Sequence, residues 1–422
     1  MTTLGPAPQP ADLQVVVSRP VVSGNALDGL LRGGGLDVHF QPVVCLKQQR
    51  VIGLEALARP QALPVNELFA EARRTGSLLH LDRHCRQLAL STYAGMVLAE
   101  SEPPPLLFLN FEASVLDTGV LGSGALIQAV RQAGVPPSQV VIEINESVVG
   151  NTEALITFVN VHRDLGFLIA LDDLGTGQSN LPRISQLRPD VIKLDRSLID
   201  GIEKDFFQQE TVKSLTHLSR SIGCLVLAEG IETVEELDCC AGLGADLFQG
   251  YFFGRPAPAA PREDNDLPLS LREASERLRV RAVAGIRQRH ATGQRMAWLV
   301  EQGCRRLQGA ERSDFDAVLA ALVAGEGGVE AAYLLDSRGI QVGDTHLRPG
   351  TVHTNTLLFS PGYRGSDHST KEYFYSLIGT GLTRFTTENY ISLATGHLCR
   401  TVAMWLDHPD GDSYVLCIDL KL

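Results

Sequence analysis

Between about residue 36 and residue 256, short apolar or β-branched runs alternate with longer stretches of helical periodicity, and this constrains the fold most. The runs are LDVHFQPVV, VIGLEALAR, LLFLNF, VVIEIN, LIALDD, VIKLD, LVLAEGI and LFQGYFF. Strands separated by helices make parallel βαβ units. Eight such runs in one domain fit a (β/α)8 barrel, with a doubly wound open sheet as the structural alternative.

Nearly every run ends in a polar residue. Glu55, Asn110, Glu143, Asp172 with Asp173, Lys193 with Asp195, Glu229 and Gln249 all stand at such ends. A parallel barrel brings its C-terminal strand ends to one face, where catalytic residues gather. Alternate residues of a strand share a side, so several carboxylates, one amide and one lysine would meet in one cup. Carboxylates so close repel one another unless a cation offsets them. Oxygen-only donors without His or Cys suit Mg2+ or Mn2+, ions that assist phosphate-ester hydrolysis.

The net charge of -12 speaks against non-specific nucleic-acid binding. The eight cysteines form no CxxC pair, as in a reducing compartment. No signal peptide and no apolar window of membrane-spanning length stands out, so the expected location is the cytoplasm.

Residues 1–24, rich in Pro, Ala and Gly, read as a flexible N-terminus, and 25–260 as the barrel. The proline-rich PAPAAPREDNDLP and the helical LREASERLRVRAVAGIRQRHATGQRMAWLVEQGCRRL make 261–310 a linker and helix. Residues 311–422 read as a small α+β domain: AAYLLDSRGIQVGD suggests strand, turn, strand, and the last 38 or so residues two or three antiparallel strands around PDGD.

The residues also carry a resemblance. Glu55-Ala56-Leu57 is the signature of the EAL-domain cyclic di-GMP phosphodiesterases, and LFLNFEAS, VIEINES, LDDLGTGQSN, IKLDRSLI, LAEGIET and FQGYFFGRP follow in that family's order. The resemblance implies a (β/α)8 TIM-like barrel whose first strand, LDVHFQPVV, runs antiparallel. It implies hydrolysis of cyclic di-GMP to linear pGpG. Glu55, Asn110, Glu143 and Asp172 match ligands of one divalent ion and Asp173 the ligand of a second. Lys193 matches the lysine that contacts the attacking water, and Glu229 the glutamate that acts as general base or as a ligand of the second ion. Gln41, Arg59, Asp195, Gln249 and Glu232 match positions that contact the dinucleotide or support the site. Glu146 matches the anchor of the GTGQSN loop, and a homodimer is implied.

The chain departs from the family pattern at Leu174, Gln178 and Asn180, and carries Glu112 where a serine is usual. The C-terminal part more loosely resembles a PAS/Cache-like sensor, with Asp367, Ser369, Tyr373 and Tyr375 at positions that line a small-ligand pocket. The alternatives are a catalytically weak or inactive cyclic di-GMP receptor that signals to a protein partner, and a vestigial barrel kept as an interaction module.

Overall fold

The structure, a computed structural model, describes residues 34–97, 104–118, 124–145, 151–174, 181–258, 267–325, 327–351 and 358–421. The chain divides into two compact units, Met1–Ala282 and Val283–Leu422.

Eight strands close a barrel in the first unit: β1 (Leu36–Cys45), β2 (Arg50–Pro60), β3 (Leu106–Phe111), β4 (Val140–Asn145), β5 (Leu168–Leu174), β6 (Val191–Leu194), β7 (Leu225–Ala228) and β8 (Leu247–Phe248). They neighbour one another in chain order. All pair in parallel from β2 to β8, whereas β1 is antiparallel to both β2 and β8. The (β/α)8 expectation and the reversed first strand are both borne out.

Strand alternation divides the apolar residues into two layers. Phe108, Val141, Ala170, Val191, Leu227 and Leu247 pack together with Val43 inside the barrel. Their neighbours, among them Leu109, Ile142, Ile169, Leu171, Ile192 and Val226, join the larger core beneath the helices. Gly53 belongs to the inner layer because a Cβ there would run into the Phe108 ring.

The segment from Asn66 to Ala94 has the periodicity of one helix but forms two, α1 (Val65–Thr75) and α2 (Leu78–Val97). Gly76 adopts φ 73° and ends the first, a conformation that costs glycine little. Further helices are α3 (Ala125–Ala133), α4 (Thr152–Asp164), α5 (Leu181–Leu187), α6 (Phe206–Ser221) and α7 (Val234–Leu243). Asn151, Asp205 and Thr233 cap α4, α6 and α7 with their side chains.

The helix α8 runs from Leu267 to Gln308 and keeps both Gly285 and Gly293 within it. In the second unit, α9 (Phe315–Gly325), α10 (Glu372–Thr380) and six antiparallel strands follow: β9 (Val329–Asp336), β10 (His346–Leu347), β11 (Arg384–Thr386), β12 (Tyr390–Ile391), β13 (Leu398–Asp407) and β14 (Ser413–Lys421). The sheet order is β10-β9-β14-β13-β11, with β12 also on β13. One face packs Leu416 and Ile418 against Val300, Leu307, Leu319 and Leu322; the other packs Val415 and Cys417 against Tyr373, Phe374 and Leu377.

Two expectations for this unit need correction. The second arm of AAYLLDSRGIQVGD is not a strand: Ile340 and Gln341 form only isolated bridges, to Asp367 and Leu335. Four strands, not two or three, follow residue 383. PDGD does turn the chain between β13 and β14.

Candidate active site

Each inner apolar residue of the parallel strands lies two positions before a polar one. Phe108 precedes Asn110, Val141 Glu143, Ala170 Asp172, Val191 Lys193, Leu227 Glu229 and Leu247 Gln249. The period-2 pleat carries the polar set to the barrel mouth above the apolar plug. In β2, Gly53 precedes Glu55 in the same way, and the reversed β1 sets Gln41 opposite Glu55. The β5–β6 register shifts between Leu171 and Leu174, so the two adjacent aspartates sit on an irregularity of the ladder. Such irregularities re-aim side chains next to active sites.

Lys193 stands at the centre, 1% exposed. Its Nζ lies 2.5 Å from Glu143 Oε1, 2.8 Å from Glu229 Oε1, 3.1 Å from Asp172 Oδ1 and 3.7 Å from Glu55 Oε1. Burial works against its charge, but the acids outweigh that and hold the ammonium well above the ordinary lysine range. Glu55 accepts from Gln249 Nε2 at 2.6 Å and Asn110 Nδ2 at 3.1 Å. Although burial opposes its ionisation, Lys193 and these two amides keep its carboxyl below the usual range. Burial and the Glu55 charge push Glu143 well above that range. Burial raises Glu229 to about 8, against the pull of Lys193. Four carboxylates around one ammonium carry more negative charge than the lysine balances, and protons take up part of the excess.

The donor chemistry fits a hard divalent cation. The set is oxygen-only, and Glu143 Oε2 is buried with no hydrogen-bond donor aimed at it. As the side chains lie, however, they close on the ammonium. Among the described residues no three His, Cys, Asp or Glu side chains stand arranged to hold an ion. Asp173 lies on β5, with its side chain outside the described set, and Glu146 lies outside the described residues altogether.

Gln41 is 9% exposed and receives Gln249 Nε2 at 3.3 Å, which links it to Glu55. Arg59 lines a pocket of about 450 Å3 that also includes Asn110 and Asp172. Asp195 and Glu232 are not in the central cluster: Asp195 caps a short turn through Ser197 N–H at 2.9 Å, and Glu232 pairs with Arg196. The pocket also draws on Arg73, Asp82 and Arg86 from α1 and α2, which the strand pattern did not single out. In the second unit, Tyr373 is buried with its hydroxyl 2.7 Å from His368 Nδ1, whereas Tyr375 is 53% exposed and Asp367 faces solvent. Of the four residues expected to line a sensor pocket, Tyr373 thus points inward, Tyr375 and Asp367 face solvent, and Ser369 N–H donates to Asp367 Oδ1 at 2.8 Å.

Residues 24–256, more than half of the chain, match the EAL domain family. The chain belongs to that family. A Pseudomonas aeruginosa protein named cyclic di-GMP phosphodiesterase NbdA is 30% identical to this EAL chain over 249 residues, 56% of this chain and 30% of its own length. The Escherichia coli oxygen sensor protein DosP is 28% identical over 256 residues, 58% of this chain and 31% of its own. The chain thus spans about a third of the length of these curated relatives. The EAL-domain protein YkuI of Bacillus subtilis, solved with its substrate c-di-GMP and calcium, superposes with a TM-score of 0.77 at 24% identity, covering 94% of this chain and 99% of its own. That likeness extends the shared fold through the second unit.

Proposed function

We propose that this chain hydrolyses one phosphodiester bond of cyclic di-GMP to give linear pGpG, with Mg2+ or Mn2+ as cofactor. The observation that carries the reading is the buried lysine ringed by Glu55, Glu143, Asp172 and Glu229 at the mouth of an EAL barrel. Glu55, Asn110, Glu143 and Asp172 would hold one ion and Asp173 would bring in a second. Bound there, the ions would polarise the scissile phosphoryl group and lower the pKa of the attacking water.

The chain's own residues do the rest. Lys193 Nζ contacts the attacking water and limits repulsion among the acids. Glu229, its ionised form favoured by cations bound beside it, takes the water proton while the water oxygen bonds to phosphorus. The P–O3′ bond then breaks, the leaving 3′ oxygen takes a proton from solvent, and Glu229 returns the proton it took to solvent. Gln249, anchored to Gln41, holds Glu55 in place. Arg59 meets a phosphate, Asp195 and Glu232 shape the loops after β6 and β7, and Glu146 anchors the loop after β5. The protein acts as a homodimer, and the second unit is a PAS/Cache-like sensor for a small ligand.

Incubation of the purified chain with cyclic di-GMP and Mg2+ or Mn2+, followed by chromatography, tests the reaction. The expected product is pGpG, and Glu55→Ala should abolish it. Tight binding of cyclic di-GMP without pGpG would instead establish the receptor reading.

A further inference from the structure

Glu112 is the residue that sets this chain apart at the pocket, and its surroundings are built rather than incidental. Its backbone N–H donates to Asp82 Oδ1 at 3.2 Å. Asp82 is itself paired with Arg86, both buried, and the Arg86 guanidinium lies over the Phe111 ring at 4.9 Å. The backbone bearing Glu112 is thus fixed from behind. Its carboxylate accepts from Ser114 Oγ at Oε1 and from Arg73 Nη2 at Oε2, each at 2.5 Å. Both Arg73 and Glu112 line the 450 Å3 pocket that holds Asn110 and Asp172 in its wall. Arg73 keeps 45% of its side chain exposed and Glu112 keeps 10%.

An arginine beside a glutamate presents a donor followed by acceptors. Each carboxylate oxygen has a second lone pair beyond the bond it already accepts. The guanine Watson–Crick edge offers the complement: O6 accepts, and N1–H and N2–H donate. Adenine presents an acceptor at N1 and a donor at N6, which would meet the carboxylate and the guanidinium with the wrong polarity. A site that hydrogen-bonds one base edge rejects the other because its polar groups are left unpaired.

We propose that Arg73 and Glu112 form a base-reading site that selects guanine over adenine in the cyclic dinucleotide. This rests on the phosphodiesterase reading and adds a specificity element to it. Glu112 accepts from N1–H and N2–H, Arg73 donates to O6, and Asp82 with Arg86 are positioning residues.

The test is equilibrium binding of cyclic di-GMP and cyclic di-AMP to the full chain with Ca2+, for the wild type, Glu112→Gln and Arg73→Lys. Glu112→Gln exchanges one acceptor for a donor at equal volume, and Arg73→Lys keeps the charge without the fork. Each should weaken cyclic di-GMP about tenfold and narrow its advantage over cyclic di-AMP. Thermal midpoints identify a variant that fails to fold, and the other then decides. A guanine-to-adenine affinity ratio equal to that of the wild type in a folded variant overturns the assignment while leaving the phosphodiesterase reading intact. A wild type that binds neither dinucleotide sinks both.

Discussion

Lys193 and Glu229 illustrate how one cluster divides its protons. The lysine is held charged by its neighbours, and Glu229 is held up to about 8 by burial. Replacing Lys193 by Met leaves four acids without their counter-charge. Loss of one partner of a buried ion pair costs about 3–5 kcal/mol, so chemical unfolding should show a loss of that order together with loss of turnover. The sign for Glu229 follows from its raised value. Its folded pKa lies above the unfolded one, so the proton favours the folded state. That contribution is complete below about 4.5 and is lost as pH rises through about 8. The metal-free protein should therefore melt lower at about pH 8.5 than at about pH 6, and Mn2+ should raise the midpoint more at the higher pH, as calorimetry would show. These acids were legible because strands alternate with period 2, and the last inward residue of each strand can be counted. Arg73, Asp82 and Arg86 were not. They come from helices, where Asp82 and Arg86 at i, i+4 look like an ordinary surface pair, although the structure buries both.

At the scale of elements, β2 shows how the barrel floor is fitted. Gly53 yields its side-chain volume to Phe108, and Phe108 supports the strand that carries Asn110. Gly53→Val should overpack this layer and destabilise the protein by about 1–3 kcal/mol, measured by urea unfolding, with activity falling through displacement of Glu55 and Asn110. Strand existence was readable throughout the barrel, and helix ends less so. The single helix expected from Asn66 to Ala94 breaks because Gly76 takes a left-handed turn, whereas Gly285 and Gly293 do not break α8. Periodicity is the same in both cases, and it carries no information about which glycine the chain uses as a cap. The second arm after β9 makes only isolated bridges because its bonds are divided: Ile340 O and Val342 N–H bond back to β9, whereas Gln341 bonds through its backbone to the loop around Ser366.

The two units differ in what their interiors hold. The second buries a polar network on its sheet, in which Thr401 Oγ1 donates to Asp419 at 2.7 Å and His397 Nδ1 lies 2.8 Å from Glu330. Burial raises the Asp419 carboxyl to about 6, with the Glu330 charge adding to it against the bonds from Thr401 and Ser392. Here too the folded value exceeds the unfolded one, so the stabilisation is full below about 3.8 and lost as pH rises through about 6. Asp419→Asn should raise stability at about pH 7.5 by up to about 3 kcal/mol and flatten its pH dependence, as denaturant titrations at several pH values would show. A small α+β domain was readable from the turn signals. Which of its residues would face a ligand was not, because β14 is apolar on both faces and Asp419 enters at one end of the face that carries Val415 and Cys417, and no period in the sequence distinguishes a satisfied network from a binding cavity. The reversed first strand has a consequence for motion in the barrel as a whole. β1 meets β2 along ten paired residues but meets the two-residue β8 at a single pair, Val44 with Phe248. The ring is therefore zipped unevenly, and the β1–β8 seam is where it would part first under thermal agitation. Gln41 and Gln249 stand on opposite sides of that seam and are joined across it. A latch between two amides thus ties the integrity of the fold's weakest joint to the pose of Glu55, so amide exchange along the seam should slow when the mouth is filled.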